Sequence, residues 1–241
     1  MFVEHDVFIG LRDVGNNNKV TNTALLSYLE DAGGVHSSLV GYGLNDIPNV
    51  KKSWVLIGWK IQINKRPKYG DKISIKTWSR GVEKIYAYRD FHILDENKNI
   101  IGIATSKWVL IDIEKGKITR IGQEVMDSYT VEETNVFDEL DLEKITEPNS
   151  YIDSTTFTVN RSLIDVNQHL HNIYFMDIAN EVLPMEIYKN AEFNNIRMMC
   201  KKEIKLGDTV KVFYDVNDKE HTIVIKNETE DCLHAIIKLS E

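Results

Sequence analysis

The sequence predicts an α+β protein made of two similar halves, each a helix followed by about four antiparallel strands. Three observations carry this expectation. An Asp-Val pair precedes a helix-like segment twice, at Asp13-Val14 and at Asp165-Val166. Strand-like runs with alternating polarity follow each helix-like segment, and a Gly-Asp pair punctuates both sets, Gly70-Asp71 and Gly207-Asp208. A sheet with one apolar face must cover it, and wrapping each sheet around its own helix does so.

In chain order, the first helix is expected over roughly 21–38, where Leu25, Leu26, Leu29 and Ala32 mark a face that is apolar on most sides. Residues 54–64 then alternate, with Trp59, Ile61 and Ile63 on one side and Lys60, Gln62 and Asn64 on the other. Tyr69-Gly70-Asp71 reads as a hairpin turn into a strand over 72–78. The acidic stretch 127–153, with Pro148 near its end, is the natural linker. The second helix is expected over roughly 172–183, on Phe175, Ile178, Ala179 and Val182. A strand over 196–204, the turn Leu206-Gly207-Asp208 and a strand over 209–216 repeat the first half's order. The expected organisation is an N-terminal domain over 1–130, a linker over 131–152 and a C-terminal domain over 153–241.

Composition narrows the function. A chain of 241 residues is long enough for a sizeable core in one or two domains. No apolar stretch approaches the roughly 20 residues of a membrane span. The start MFVEHDVFIGLRDVG lacks the basic start and apolar run of a secretion signal, and with two cysteines, Cys200 and Cys232, no disulfide framework is expected. A cytoplasmic protein is the expectation, with no membrane partner. A net charge of −8 argues against nucleic acid as the main partner. The charge is uneven: residues 51–89 hold eleven Lys or Arg against Asp71 and Glu83, and residues 127–153 hold nine acids against Lys144. Solvated surface explains both runs, and a docking face for an acidic partner is the alternative for the basic one.

Residues 161–174, RSLIDVNQHLHNIY, concentrate the polar chemistry. Asp165, Asn167 and His169 sit two residues apart just ahead of the second helix. In an extended segment they line one wall, beside a helix N-terminus whose free N–H groups favour negative charge. Capping and an Asx turn account for the same Asp and Asn, and spacing alone leaves both readings open.

The stretch resembles the catalytic loop of the acyl-acyl carrier protein thioesterases, in which an Asp-x-Asn-x-His sequence precedes the central helix of a hotdog domain. Residues 103–125, IATSKWVLIDIEKGKITRIGQEV, are similar to the segment that ends the family's first domain, with Trp108 after a Thr-Ser pair and a basic residue near position 120. Residues 22–44 are similar to its first helix, where a Leu-Leu pair, an acidic residue and a His precede a Gly-Leu turn. The likeness covers nearly the whole chain and implies a tandem, or double, hotdog.

The segment Met199-Cys200-Lys201-Lys202-Glu203-Ile204 resembles the family strand that carries a catalytic glutamate after two basic residues. Apart from the resemblance, Glu203 is an ordinary exposed strand carboxylate. The family's plant members place a cysteine directly after that glutamate; Ile204 occupies the position here, which excludes a nucleophile there and leaves Cys200 as a small buried hydrophobe. Aligning the halves on Asp13 with Asp165 and on Gly70 with Gly207 sets Gly15 opposite Asn167, Asn17 opposite His169 and Arg66 opposite Glu203. On that alignment only the aspartate survives, so the N-terminal half is expected to bind the acyl chain without doing chemistry.

The resemblance implies hydrolysis of a fatty acyl-acyl carrier protein by Asp165, Asn167, His169 and Glu203. Glu203 and His169 would activate water, Asn167 would hold the water or the carbonyl, Asp165 would orient His169 or Asn167, and N–H groups around Asn172 would polarise the thioester carbonyl. The partner is an acidic acyl carrier protein. His169-x-His171 with Asp165 also suits a metal, without a further ligand motif, and no metal or cofactor is expected. His5, His36, His92, His221 and His234 are assigned no catalytic role. Hydrolysis of acyl-coenzyme A, an idle acyl-binding hotdog and a hotdog dehydratase are the competing functions. A double hotdog holds within one chain the two units that single hotdogs gain by pairing, so the expected state is a monomer or a homodimer.

Overall fold

A short strand opens the chain: in the computed structural model, which describes residues 1–138 and 142–241, β1 spans Val3–Phe8. It precedes α1 (Asn22–Leu39), α2 (Ile47–Val50), β2 (Lys52–Ile63), β3 (Lys72–Glu83), β4 (Tyr86–Leu94), β5 (Ile100–Asp112), β6 (Lys117–Thr119) and α3 (Gln123–Tyr129). These belong to the first of two compact units, Met1–Leu142 and Glu143–Glu241. The first unit's sheet runs in the order β1-β3-β4-β5-β2, each neighbour antiparallel, with β6 on β5. Helix α1 packs against β3 and β1. Thr21 caps it by accepting from the Ala24 N–H at 3.2 Å, and Leu25, Leu26, Leu29 and Ala32 are all buried. Burying each such leucine contributes about 1.5–3 kcal/mol.

The second unit repeats the plan: β7 (Asp153–Thr158), α4 (Phe175–Asn180), α5 (Met185–Asn190), β8 (Asn195–Cys200), β9 (Thr209–Asn217), β10 (Glu220–Asn227) and β11 (Leu233–Ser240). Its sheet order, β8-β11-β10-β9-β7, is the first unit's order read from the other end, β2-β5-β4-β3-β1. Each unit is a hotdog with a short edge strand ahead of the helix, β1 or β7, that the sequence pattern does not suggest, and the first unit adds the short β6. Helix α4 is shorter than expected. Pro184 disfavours helical geometry at Leu183, so the chain leaves the helix at Asn180 and turns, while Phe175, Ile178, Ala179 and Val182 remain buried.

The Gly-Asp pairs do not close hairpins between neighbouring strands. β3 hydrogen bonds to β1 and β4, so the turn before it docks on the residue that follows β1: Gly70 N donates to Ile9 O and Ile9 N to Asp71 O, both at 3.0 Å. In the second unit Gly207 N donates to Val159 O and Val159 N to Asp208 O, both at 2.9 Å. Gly70 and Gly207 adopt φ of +88° and +83°, the left-handed region that glycine enters without steric cost.

The expected linker, 131–152, is divided between the units; its residues 139–141 lie outside those described. Residues 132–137 pack on the first unit, where Glu132 N donates to Ser79 O, Trp78 Nε1 to Thr134 O and Val136 N to the Asp90 carboxylate. On the second unit, Ile145 is buried with Phe213, Val224 and Ile236, and Tyr151 stacks on Phe213. Enough apolar side chains interrupt the acids to fasten both arms.

The first unit also buries charge. Arg89 donates from Nη1 to His36 Nδ1 at 2.8 Å and to Thr77 Oγ1 at 3.3 Å, both imidazole and guanidinium being buried. Gly33 of α1 lies against this arginine, a Cβ there standing 3.4 Å from Arg89 Cδ. Burial first, and then the charge of Arg89, lowers the His36 pKa from its usual 6.5 to about 3. Between those values the unfolded chain binds a proton that the folded chain refuses, so stability falls as pH falls across the window. Unfolding free energies from urea titrations at pH 7 to 4 should drop by up to about 1.4 kcal/mol per pH unit from this group, and His36→Asn, which accepts from Arg89 without titrating, should flatten the slope.

Candidate active site

Residues 163–171 form a tight turn rather than an extended wall. Ile164 pairs with Leu170, Asp165 N donates to His169 O at 2.8 Å, and Gln168 N donates to Asp165 O at 3.1 Å. Gln168 carries the reversal with φ of +66°. Within the turn the Asp165 carboxylate is the hub: Oδ1 accepts the N–H groups of Asn167 at 2.8 Å and His169 at 3.1 Å, and Oδ2 accepts from Asn167 Nδ2 at 3.2 Å. Asp165 thus holds the Asn167 side chain directly and His169 through its backbone. Charge-assisted bonds of this kind are about twice as strong as neutral ones.

Glu203 reaches His169 from a second loop. Strand β8 ends at Cys200, three residues short of Glu203, so the carboxylate stands on the turn leading to β9 and not on the expected strand. Leu170 N donates to Ile204 O at 2.8 Å and His169 pairs with Lys205, which brings the two loops together. His169 Nε2 then lies 3.4 Å from Glu203 Oε1, with 29% of the imidazole and 55% of the carboxylate side chain exposed. An imidazole beside an open carboxylate is suited to activating water. Asp165, Asn167, His169 and Glu203 are therefore brought to one place. Cys200 is buried within β8, paired with Ala235 across the sheet, and stands apart from that chemistry.

The first unit repeats the backbone and changes the chemistry. Val14 pairs with Val20, Gly15 N donates to Lys19 O, Asn18 N donates to Gly15 O, and Asn18 has φ of +59°. These bonds set Gly15 opposite Asp165, Asn17 opposite Asn167 and Lys19 opposite His169. The alignment on Asp13 is thus displaced by two residues: the asparagine, not the aspartate, is retained. Arg66 does fall opposite Glu203, and its Nη1 donates to Val20 O at 2.8 Å. Thr21 caps α1, whereas His171 at the matching position makes no side-chain cap and packs its ring on Tyr174. The helical start at Asn172 in the second unit thus has no side-chain cap beside His169.

The basic run 51–89 is not one continuous face, although Lys51, Lys65, Lys68, Lys72 and Lys84 are exposed. Arg80 and Arg89 are buried, Arg80 lying 3.7 Å from Asp90; Lys52 pairs with Glu124 at 3.4 Å; and Lys60 and Lys76 sit over the rings of Phe137 and Phe2. Strand alternation sends successive charges to opposite faces, which a linear count does not register. The sequence also passes over His234 of β11, whose main-chain oxygen accepts from Lys201 N at 2.8 Å and Lys202 N at 3.4 Å, just ahead of Glu203. Comparison of the two halves beyond the Gly-Asp turns exposes it, because Ile101 accepts the matching pair from Asn64 and Lys65.

Comparison with known proteins identifies the family and the fold. Residues 4–129 match the family model described as acyl-ACP thioesterase N-terminal domain, and residues 146–239 match the acyl-ACP thioesterase C-terminal domain. An oleoyl-acyl carrier protein thioesterase of Coriandrum sativum is 26% identical over 231 residues, covering 89% of this chain and 62% of that protein. The chain thus spans about three fifths of the length of the curated relatives it matches. The crystal structure of an acyl-ACP thioesterase from Bacteroides thetaiotaomicron superposes with a TM-score of 0.87 at 24% identity, covering 99% of this chain and 97% of that one. A 12:0-ACP thioesterase from Umbellularia californica gives a TM-score of 0.88 at 16% identity, covering 99% and 96%.

The Asp165 hub has a measurable consequence. Asp165→Ala removes three acceptor contacts at once while leaving β7 to β11 in place. Amide exchange at Asn167 and His169 should rise by about tenfold or more, with little change in the melting temperature.

Proposed function

We propose, from the premise that the chain belongs to the acyl-ACP thioesterase family, that it hydrolyses the thioester of fatty acyl-acyl carrier protein and releases a free fatty acid. The observation that carries the reading is the 3.4 Å approach of His169 Nε2 to Glu203 Oε1 in one unit only, its counterparts in the other being Lys19 and Arg66.

Water held by this pair loses a proton to it as the oxygen attacks the thioester carbonyl. The C=O bond opens to an oxyanion, which the N–H groups at the helical start around Asn172 stabilise. Collapse of the tetrahedral species breaks the C–S bond, and the departing sulfur takes up the proton that the pair received. The products are a carboxylic acid and the carrier's free thiol. Asn167, fixed by Asp165, holds the water or the carbonyl oxygen in line for attack. The first unit supplies binding and no chemistry. The enzyme works in the cytoplasm as a monomer or homodimer, its two cysteines being free thiols.

Thiol release from acyl-acyl carrier proteins of graded chain length, with matched coenzyme A esters alongside, tests the reading. Turnover confined to coenzyme A esters would keep the chemistry and replace the partner, and absence of turnover on both would reject hydrolysis. With an active substrate in hand, His169→Ala and Glu203→Gln should each lower kcat by about 100-fold or more with unchanged thermal melting. Near-native activity in both variants would sink the assignment of the pair.

A further inference from the structure

Glu203 is more than half exposed and stands on a loop, yet its position relative to His169 depends on the backbone beneath it. The loop is held on both sides. After Glu203, the bond from Leu170 N to Ile204 O and the pairing of His169 with Lys205 tie it to the Asp165 turn. Before Glu203, β11 holds it: the His234 oxygen accepts from Lys201 N and Lys202 N, and the His234 imidazole Nδ1 lies 3.0 Å from Lys202 O. A carbonyl oxygen only accepts, so Nδ1 is the donor and carries a hydrogen. The carbonyl it grips belongs to the peptide group that ends in the Glu203 nitrogen.

The first unit shows what the fold needs without this bond. There Ile101 accepts the same two backbone N–H groups, from Asn64 at 2.8 Å and Lys65 at 3.0 Å, and its side chain has no hydrogen to donate. The turn forms nevertheless. Arg66, at the position of Glu203, is instead fastened by its own guanidinium to Val20 O. The imidazole grip occurs in the half that carries His169 and Glu203, where the functional side chain must leave its own polar atoms free for substrate.

We propose that His234 is a positioning residue for the active site: by donating from Nδ1 to Lys202 O it fixes the Lys202–Glu203 peptide plane and so aims the Glu203 carboxylate at His169. The proposal rests on the hydrolase reading for its kinetic consequence and on hydrogen bonding alone for its structural one. His234 is buried, and the matching isoleucine shows that the sheet accepts an aliphatic side chain there.

The test uses the whole chain with His234→Ile, which copies the first unit, and His234→Asn, which restores a side-chain N–H near the Nδ1 position. His234→Ile should lower kcat on an active acyl thioester by about tenfold or more with KM within about twofold, and His234→Asn should recover most of the loss. In a Glu203→Gln background, His234→Ile should have little further effect, since the two substitutions act through one carboxylate. Parental kcat in His234→Ile, equal losses in both variants, or a loss that persists in full beside Glu203→Gln would each overturn the proposal. A parent protein inactive on every thioester would overturn the hydrolase reading separately. The grip is then decided by the Lys202 carbonyl carbon-13 resonance, which should shift in His234→Ile and return in His234→Asn; an identical signal in all three proteins would overturn it.

Discussion

The pairing of one edge strand decides where the site lies. β7 runs antiparallel to β9 from Asp153 opposite Tyr214 to Thr158 opposite Thr209, and the pairing continues past the strand ends through Val159 and the Gly207-Asp208 turn. That continuation delivers the chain leaving β7 to the chain entering β9. Asp165 and Glu203, far apart in sequence, then stand on adjoining loops, and a main-chain bond from Leu170 to Ile204 closes the remaining gap. The interaction is local and built from backbone groups, so it persists in the first unit, where of the four candidate site side chains only the asparagine is present, as Asn17.

Much of this was legible in the sequence because it follows from period and from turn chemistry. Apolar residues at helical spacing located both helices, and Gly70 and Gly207 marked the turns where positive φ is required. The edge strands β1 and β7 escaped notice because each is six residues long and mostly polar or half exposed. The four site residues were legible only through family likeness, since Asp and Asn before a helix also suit an Asx turn. Both descriptions hold at once: Asp165 makes the Asx-type contacts, and those contacts fix the residues beside it.

Register was harder to read. The repeated Asp-Val pair suggested an alignment, but the second member of each pair plays a different part: Val14 is a ladder residue facing Val20, whereas Val166 is an exposed turn residue. Only the hydrogen bonds show that Gly15 and Asp165 correspond. The basic run from 51 to 89 was only partly legible for a related reason, because a linear count of charge does not separate Arg89, under α1, from the lysines at the surface.

The buried His36–Arg89 pair belongs to the unit without the reactive residues, and this bears on how acid affects the molecule. The usual interpretation of activity lost below neutrality is protonation of a catalytic base. Here a second process runs in the same pH range, since the protein resists placing a proton on His36 and loses stability as the pH falls. On the proposed function, an acid limb in a pH–rate profile would be composite: a rapid, reversible part from the chemistry and a slower, temperature-dependent part from unfolding. The two separate by preincubation time, because only the second accumulates before substrate is added.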